Sequence, residues 1–295
     1  MTSPRHAQDT DRGRYYQRPG TGQRLVSVTN VLGTCVAKQA LIPWAAKVVA
    51  EYAIDQLPTI TRRLRTDDPT DIRKDISRQV TVSHDKAADL GTRVHADAER
   101  HVLGTYTPGD DPEAEPYVQQ YLQWLDAWGV DLERDVEASE ITVADPDKGY
   151  AGTADLRVRL PLKGFHDGKV IPADGDERYP WLIDFKSSAT RDRKSGYPEY
   201  VLQLAALRYA KEMWLPDDTI TRLPPVAGAA VLNLRPRSHA FIPVDAGPVA
   251  HRAFLNLLEG TKWLHAREGF EQPVDPPGTT PKPARKRTTK TKDAA

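Results

Sequence analysis

The chain has 295 residues, enough for one large domain with its own core, and its 41 basic and 41 acidic residues give no net charge that would advertise a nucleic-acid partner. A single cysteine, Cys35, excludes a disulfide framework and any multi-cysteine zinc or iron–sulfur site built from this chain alone. The sequence shows neither a secretory signal nor an apolar run long enough to span a membrane, so we expect a cytoplasmic protein without a membrane partner.

Both ends of the chain are expected to be appendages. Residues 1–24 are rich in arginine and lack apolar periodicity, which predicts a flexible arm without a part in catalysis. Residues 271–295 combine prolines with a Lys/Arg/Thr run, which predicts a disordered basic tail that adds salt-sensitive affinity for DNA. Between them we predict a single domain, 25–270, with a helical part, 25–130, and a sheet-containing part, 131–270.

The helical part opens with a short segment, 27–33, and Pro43 then begins an amphipathic helical pattern. Further helices are predicted near 70–80, over 84–103 and over 113–128. The last of these carries aromatic residues at helical spacing, which favours core packing over stacking on unpaired bases. These aromatic residues are Tyr117, Tyr121, Trp124 and Trp128.

The second part of the chain has the alternating patterns of β-strands. The predicted strands are 136–144, 150–160, 181–186, 227–234 and 239–244. The segment 163–180 is rich in Gly, Pro and Asp and is predicted to be a loop, whereas 197–213 and 248–268 are predicted helices. Helices first, followed by a mixed sheet with helices against it, predict an α/β or α+β fold.

The strand 181–186 ends in Asp184-Phe185-Lys186. Because side chains alternate along a strand, Asp184 and Lys186 share one face. A carboxylate can hold Mg²⁺ or Mn²⁺, and a lysine beside it can position or deprotonate water and offset charge on a scissile phosphate. The alternative is a structural ion pair within a central strand.

Asp155 lies on the preceding strand, three residues after Gly152. The alternation turns Asp155 away from the apolar face, and Gly152 would let a nucleic acid or a neighbouring backbone approach closely. On its own, Asp155 is explained as a solvated acid on an edge strand. Together with Asp184 and Lys186, it indicates a hard oxygen-ligand site suited to Mg²⁺ or Mn²⁺ rather than to zinc.

Two helices carry further polar candidates. His95 has Glu99 one turn later on the same side, and Gly91 one turn earlier leaves the approach to the imidazole open. Gln203 is a donor that could orient water or phosphate from the helix after the Asp-Phe-Lys strand. The alternatives are a packed or solvent-facing histidine and a helix-surface amide.

The loop after Lys186 combines hydroxyl groups with cations, which could grip phosphates, although a solvated loop explains the composition equally well. Its candidate DNA-binding residues are Ser187, Ser188, Arg191, Arg193 and Lys194.

Taken in order, these motifs resemble the RecB-type branch of the PD-(D/E)XK nuclease superfamily over about residues 27–210. The matching residues are Gly91 with His95, Gly152 with Asp155, Asp184 with Lys186, and Tyr200 with Gln203. The segments 27–29 and 43–45 also look like the beginning of phage-encoded exonucleases of this branch. The iron–sulfur members of the family have four cysteines, so this chain is expected to lack such a cluster.

The resemblance implies a restriction-endonuclease-like core with a mixed central sheet flanked by helices and a helical N-terminal region. It also implies one or two Mg²⁺ or Mn²⁺ ions, and ligands from His95, Asp155, Asp184 and the main-chain carbonyl of Phe185. Lys186 would activate or position the hydrolytic water, and Gln203 would complete the catalytic set. The secondary candidates are Glu140, Glu99 and Tyr200.

The expected function is a metal-dependent deoxyribonuclease, chiefly an exonuclease that leaves 5′-phosphates in phage or bacterial DNA recombination, repair or replication. Its expected partners are single-stranded DNA or DNA ends, with recombination or replication proteins as further candidates. A second reading is a non-catalytic DNA-binding or assembly subunit that keeps the nuclease fold, and a third is a protein in which the charged residues form structural ion pairs only.

Overall fold

A computed structural model describes residues 6–10, 13–189 and 196–266. A mixed β-sheet lies at its centre with helices on both faces, as the sequence predicts. The first part of the chain contains β1 (Ala7–Thr10), β2 (Gly13–Gln17), β3 (Arg24–Ser27), α1 (Val28–Cys35), α2 (Leu41–Asp55), α3 (Leu57–Arg63), α4 (Pro69–Val102) and α5 (Glu115–Ala127).

The second part of the chain supplies most of the sheet and two of the helices that pack on it. It contains α6 (Leu132–Asp135), β4 (Val136–Asp145), β5 (Tyr150–Leu160), β6 (Leu162–His166), β7 (Lys169–Pro172), β8 (Tyr179–Ser187), α7 (Pro198–Arg208), β9 (Glu212–Trp214), β10 (Ile220–Arg222), β11 (Gly228–Arg235), β12 (Ser238–Val244) and α8 (Pro248–Ala266). Within the described residues, no helix is both long and apolar enough to cross a membrane.

Strand β5 is the hub of the sheet. One edge of β5 pairs with β4 along most of its length. The other edge pairs with β3 at Tyr150 and Ala151, and with β8 from Leu156 to Leu160. Neither β3 nor β8 pairs with residues 152–155 of β5, so this stretch lies at an opening in the sheet. Beyond β8 the sheet continues with β11, which is parallel to β8, and then with β12.

Two apolar layers cover the sheet. One face packs against α1, α7 and α8 and includes Leu204 and Phe254. The opposite face packs against α5 and the second half of α4. Burial of one large apolar side chain contributes about 2–3 kcal/mol, so these layers are the main stabilising feature of the fold. The predicted core role of the α5 aromatic residues is confirmed, since Tyr117, Tyr121 and Trp124 are buried.

Helix α4 replaces the two helices that the sequence predicts near 70–80 and over 84–103. Asp68 caps its first turn by accepting a hydrogen bond from the amide of Thr70, and Pro69 occupies the first helical position. No Gly or Pro lies between the two predicted segments, so the helix continues for 34 residues, a length of about 50 Å.

The N-terminal prediction is wrong for the described residues of the 1–24 segment. Instead of a flexible arm, β1 and β2 form a hairpin, and β2 extends the sheet by pairing antiparallel with β3. Tyr15 and Tyr16 are both buried, so tertiary packing stabilises these strands although their sequence lacks apolar periodicity.

Two other predictions need correction. The segment 163–180, predicted to be a loop, contains the hairpin of β6 and β7. The helix predicted over 197–213 ends at Arg208, because residues 212–214 leave it to pair with β4 as strand β9. The predicted tail, 271–295, lies outside the described residues.

Candidate metal centre

Three carboxylates occupy one row across three adjacent strands. On β4 and β5, Ser139 pairs with Leu156 and Ile141 pairs with Ala154, and this register sets Glu140 opposite Asp155. The register of β5 on β8, continued by one residue, sets Asp155 opposite Asp184. This row lies at the opening between the β3 and β8 pairings, so acidic side chains gather where the sheet leaves room for them.

The backbone departs from regular strand geometry at two members of this row. Ala154 packs in the layer with α7, whereas Leu156 packs in the layer with α5. Residues two apart share a face in a regular strand, so β5 changes face at Asp155. Glu140 has a φ of 48°, in the left-handed region that costs a non-glycine residue about 1–2 kcal/mol. Such distortions persist where the surrounding structure enforces them, and they cluster at functional sites.

His95 reaches this row from α4. Its Nδ1 atom lies 3.3 Å from Oε1 of Glu140 and 3.6 Å from Oδ1 of Asp155. Its Nε2 atom lies 3.2 Å from the main-chain oxygen of Phe185. One ligand atom from each of His95, Glu140 and Asp155 can be chosen so that all lie within 4.8 Å of one another.

This donor set is chemically suited to a divalent cation. Neighbouring ligands of an octahedral Mg²⁺ lie about 3 Å apart, which is close to the 3.3 and 3.6 Å that separate His95 Nδ1 from oxygens of Glu140 and Asp155. Carboxylate and carbonyl oxygens with one imidazole satisfy a hard or intermediate cation. The group of His95, Glu140 and Asp155 could therefore hold a metal ion.

The electrostatics of the triad reflect crowding of acids around one imidazole. Burial lowers the pKa of His95, but the negative charges of Asp155 and Glu140 outweigh it and raise this pKa to about 9. The imidazolium then donates hydrogen bonds from Nδ1 to Glu140 and from Nε2 to the Phe185 carbonyl. Burial raises the pKa of the Asp155 carboxyl, whose Oδ2 accepts a 2.6 Å hydrogen bond from the Phe185 amide.

Asp184 belongs to a second, adjoining cluster with Lys186 and Gln203. Gln203 donates a 2.7 Å hydrogen bond from Nε2 to Oδ1 of Asp184, and Lys186 donates to Oε1 of Gln203 over 3.5 Å. Lys186 Nζ lies 2.5 Å from Oδ2 of Asp184, and the Tyr200 ring lies beneath the ammonium at 5.1 Å. Gln203 thus fixes an acid and a base on one face of β8, as their alternation predicts.

The buried Asp184 carboxylate keeps capacity for a further ligand. The contact of Oδ2 with Lys186 lacks hydrogen-bond geometry, and this oxygen accepts no hydrogen bond from the described residues. Burial raises the pKa of Asp184. Burial lowers the pKa of Lys186, but Asp184 and Asp155 more than offset this, and the net shift is upward. Asp184, predicted to be a metal ligand, here pairs with Lys186, while Glu140, predicted to be secondary, completes the triad.

The two glycines of the motifs, Gly152 and Gly91, lie where neighbouring elements pack closely. A Cβ atom at Gly152 would lie 2.6 Å from a methyl group of Leu207 on α7, so this glycine admits a helix rather than a nucleic acid. A Cβ atom at Gly91 would lie 3.3 Å from Oγ of Ser187, so α4 passes close to the end of β8. The edge-strand explanation of Asp155 is also wrong, because β5 has neighbours on both edges and the side chain is buried.

A cleft of about 540 Å³ opens in front of both clusters. The predicted candidates Glu99 and Ser187 line it, and burial raises the pKa of Glu99. Ser188 lies beside the cleft, where its carbonyl accepts a 3.0 Å hydrogen bond from Arg235. The other predicted DNA-binding residues, Arg191, Arg193 and Lys194, lie outside the described residues.

Sequence reasoning missed several residues of the cleft wall. They are Arg14, Thr29, Thr92 and Thr153. A signal for Arg14 is present in the sequence, because Pro19, Gly20 and Gly22 separate its polar–aromatic segment from the next strand, a spacing typical of a hairpin. The threonines carry no comparable signal.

Comparisons with known proteins leave the family of the chain open. The sequence matches no protein-family model and has no significant match among curated proteins. Among solved structures, a crystal structure of SSO0001 is similar over 69% of this chain and 70% of that chain, with 16% sequence identity and a TM-score of 0.29. A likeness at this level carries no argument about fold or function.

Proposed function

We propose that the protein is a Mg²⁺- or Mn²⁺-dependent deoxyribonuclease of the RecB-type branch of the PD-(D/E)XK superfamily. The observation that carries this proposal is the convergence of Glu140, Asp155, Asp184 and Lys186 with His95 at one opening in the sheet. Residues far apart in the sequence meet there in the order and on the element types that the family resemblance requires.

The chemistry of the donor set supports the choice of cation. Mg²⁺ and Mn²⁺ favour carboxylate and carbonyl oxygens, and the triad offers two carboxylates beside the Phe185 carbonyl. A single imidazole is compatible with Mn²⁺, and the triad contains no thiolate, the ligand typical of structural zinc. When bound, the divalent ion would lower the pKa of an attacking water and stabilise charge developing on the phosphate.

The protein side chains would supply orientation and charge. His95, Glu140 and Asp155 would hold the cation, while Asp184 would orient the Lys186 ammonium toward the scissile phosphate. Gln203 would keep both groups in place, because it donates to Asp184 and accepts from Lys186. A lysine fixed in this way can hold a proton at Nζ close to the leaving or attacking oxygen.

The substrate is proposed to be single-stranded DNA or a DNA end, and the reaction an exonucleolytic one in recombination, repair or replication. Support for this assignment comes from the motif order and from the segments 27–29 and 43–45, which resemble phage-encoded exonucleases. The cleft of about 540 Å³ lies in front of both clusters, so a DNA strand that occupies it would meet the triad and Lys186 together.

The test is cleavage of linear DNA labelled at one end. Single- and double-stranded substrates are incubated with Mn²⁺, Mg²⁺ or EDTA and with wild type, Asp184→Ala or Lys186→Ala. Asp126→Ala is the matched control, because this acid lies exposed on α5 outside the cleft. We expect degradation that requires the cation, survives in the control, and falls by at least a hundredfold in the two site variants.

Two results would contradict the proposal. Degradation that persists in EDTA or in both site variants would mean that the activity arises elsewhere. No degradation of any substrate by correctly folded wild type would instead favour the non-catalytic DNA-binding subunit.

A further inference from the structure

We propose that Arg14, on the N-terminal hairpin, binds a backbone phosphate of the DNA beside the scissile one. The inference rests on the proposed nuclease function and adds a substrate-binding residue that lies outside the motifs of the family resemblance. It assigns a role in substrate binding to a segment that the sequence predicts to be a flexible arm.

The position of Arg14 in the cleft wall follows from the pairing of β2. This strand joins the sheet through β3, which pairs with β5 at the edge of the opening. Tyr16, two residues after Arg14 and therefore on the same face, is buried and its hydroxyl lies 2.8 Å from Oγ1 of Thr153. Thr153 precedes Asp155 by two residues, so this contact ties the hairpin directly to the strand that carries the metal-binding acid.

The residue before Arg14 is closely packed as well. Gly13 has a φ of 95°, and a Cβ atom there would lie 2.7 Å from the side-chain oxygen of Asn30 on α1. Arg14 itself is oriented by Asp9 on β1, which accepts hydrogen bonds from Nε at 2.9 Å and from Nη2 at 3.2 Å. The guanidinium is therefore held in one place before any substrate arrives, which lowers the entropic cost of binding.

The negative charge of the cleft explains why a phosphate would bind at Arg14. Four acids line the cleft, namely Glu99, Glu140, Asp155 and Asp184. Lys186 and His95 carry positive charge but are already engaged with these acids. A polyanion that enters such a cleft needs a cation away from the acid row, and Arg14 is the arginine among the described lining residues.

The guanidinium has a donor left for this contact. Its hydrogen bonds to Asp9 use Nε and Nη2, and Nη1 donates no hydrogen bond to the described residues. The Arg14 side chain is 37% exposed, so the free edge of the fork can reach a ligand in the cleft. Arginine binds phosphate oxygens through such charge-assisted hydrogen bonds, and these contacts fix register without reading sequence.

The experiment measures DNA binding in the Asp184→Ala background, where cleavage is not expected, with Mn²⁺ present and a fluorescein-labelled single strand. Dissociation constants are determined by anisotropy from 50 to 300 mM salt for Arg14→Gln, Asp9→Asn and Arg24→Gln. Arg24 is the matched control, since it lies on β3 against the Tyr15 ring, 3.8 Å from its centroid, and does not line the cleft. Thermal unfolding of each variant monitors folding.

We expect Arg14→Gln to weaken binding about tenfold and to reduce the slope of log K against log salt by roughly 0.7, the value for one phosphate contact on a single strand. Arg24→Gln should match the parent protein. Asp9→Asn should keep the parent slope, because it leaves the positive charge of Arg14 that the phosphate contact uses. In the active enzyme, Arg14→Gln should raise KM more than it lowers kcat.

The outcomes separate the two proposals. If Arg14→Gln keeps the affinity and slope of Arg24→Gln, the role of Arg14 is refuted while the nuclease proposal stands. If Asp9→Asn loses as much slope as Arg14→Gln, the ion pair is structural and the inference also fails. If wild type neither binds nor cleaves DNA, the proposed function itself is wrong.

Discussion

Replacement of Glu140 by glutamine tests which side chains hold the cation. The sequence ranks Glu140 as secondary, whereas the structure places its carboxylate 3.3 Å from His95 and on a left-handed residue. Glutamine keeps the size and the backbone preference of glutamate but removes the negative charge. We therefore expect weaker binding of Mn²⁺ with little change in the stability of the metal-free fold.

The expected magnitude follows from linkage between binding and folding. Loss of one charged ligand should weaken affinity about a hundredfold, given that loss of even an outer-shell partner costs 10- to 100-fold. At a Mn²⁺ concentration 100 times the wild-type Kd, the ion stabilises wild type by about 2.7 kcal/mol and the variant by about 0.4 kcal/mol. For a domain of this size, these values correspond to increases in Tm of about 5–11 °C and about 1–2 °C.

The assay is thermal unfolding with and without Mn²⁺, supported by calorimetric titration. Glu99→Gln is the discriminating comparison, because Glu99 lines the same cleft but does not belong to the triad. Glu133→Gln, an exposed site on α6, controls for the change in net charge. A full Mn²⁺ shift in Glu140→Gln together with a lost shift in Glu99→Gln would refute the assignment of the triad.

Three further predictions address the supports of the site and the fold. Gln203→Leu removes the 2.7 Å hydrogen bond to Asp184 and should lower kcat about 10- to 100-fold at saturating Mn²⁺, and unchanged initial rates would contradict a positioning role. Gly152→Ala forces a Cβ atom against the Leu207 methyl group and should lower the free energy of unfolding by about 1–3 kcal/mol, measured by urea denaturation. Burial raises the pKa of Asp135, but hydrogen bonds from an arginine and a main-chain amide and the charge of a second arginine hold it below its ordinary value of 3.8. As the pH falls, the Asp135 carboxyl therefore takes up a proton less readily in the native protein than in the unfolded chain. Asp135→Asn should lower the free energy of unfolding by its full amount near pH 7, and this difference from wild type should disappear as the pH falls below about 4.

The strands of the sheet-containing part were predictable because their patterns are strong. Residues 181–183 and 229–232 are continuous apolar runs, and both lie in central strands, β8 and β11, covered on both faces. The N-terminal hairpin was not predictable in the same way. Its strands have four and five residues with few apolar side chains. The hairpin is stabilised by pairing with β3 and by burial of two tyrosines.

In the candidate site, too, some residues could be predicted from local sequence patterns and others could not. Asp155, Asp184 and Lys186 could be proposed from alternation within single strands, and the structure brings all three to one cleft. The importance of Glu140 could not, because it requires the register of β4 on β5 and a left-handed backbone that no local pattern encodes. Arg14 likewise approaches the cleft only through the chain of pairs from β2 to β5.

The opening between β3 and β8 explains why this row of acids can exist in a folded sheet. Three carboxylates side by side on paired strands would repel one another, and burial would add a desolvation cost. Here His95, from α4, and Lys186, on β8, offset two of the three negative charges. A divalent cation that replaces the proton of His95 would bring the formal charge of the five groups from minus one to zero. The arrangement that makes the acids tolerable in the fold is therefore also the arrangement that favours a divalent ion among them.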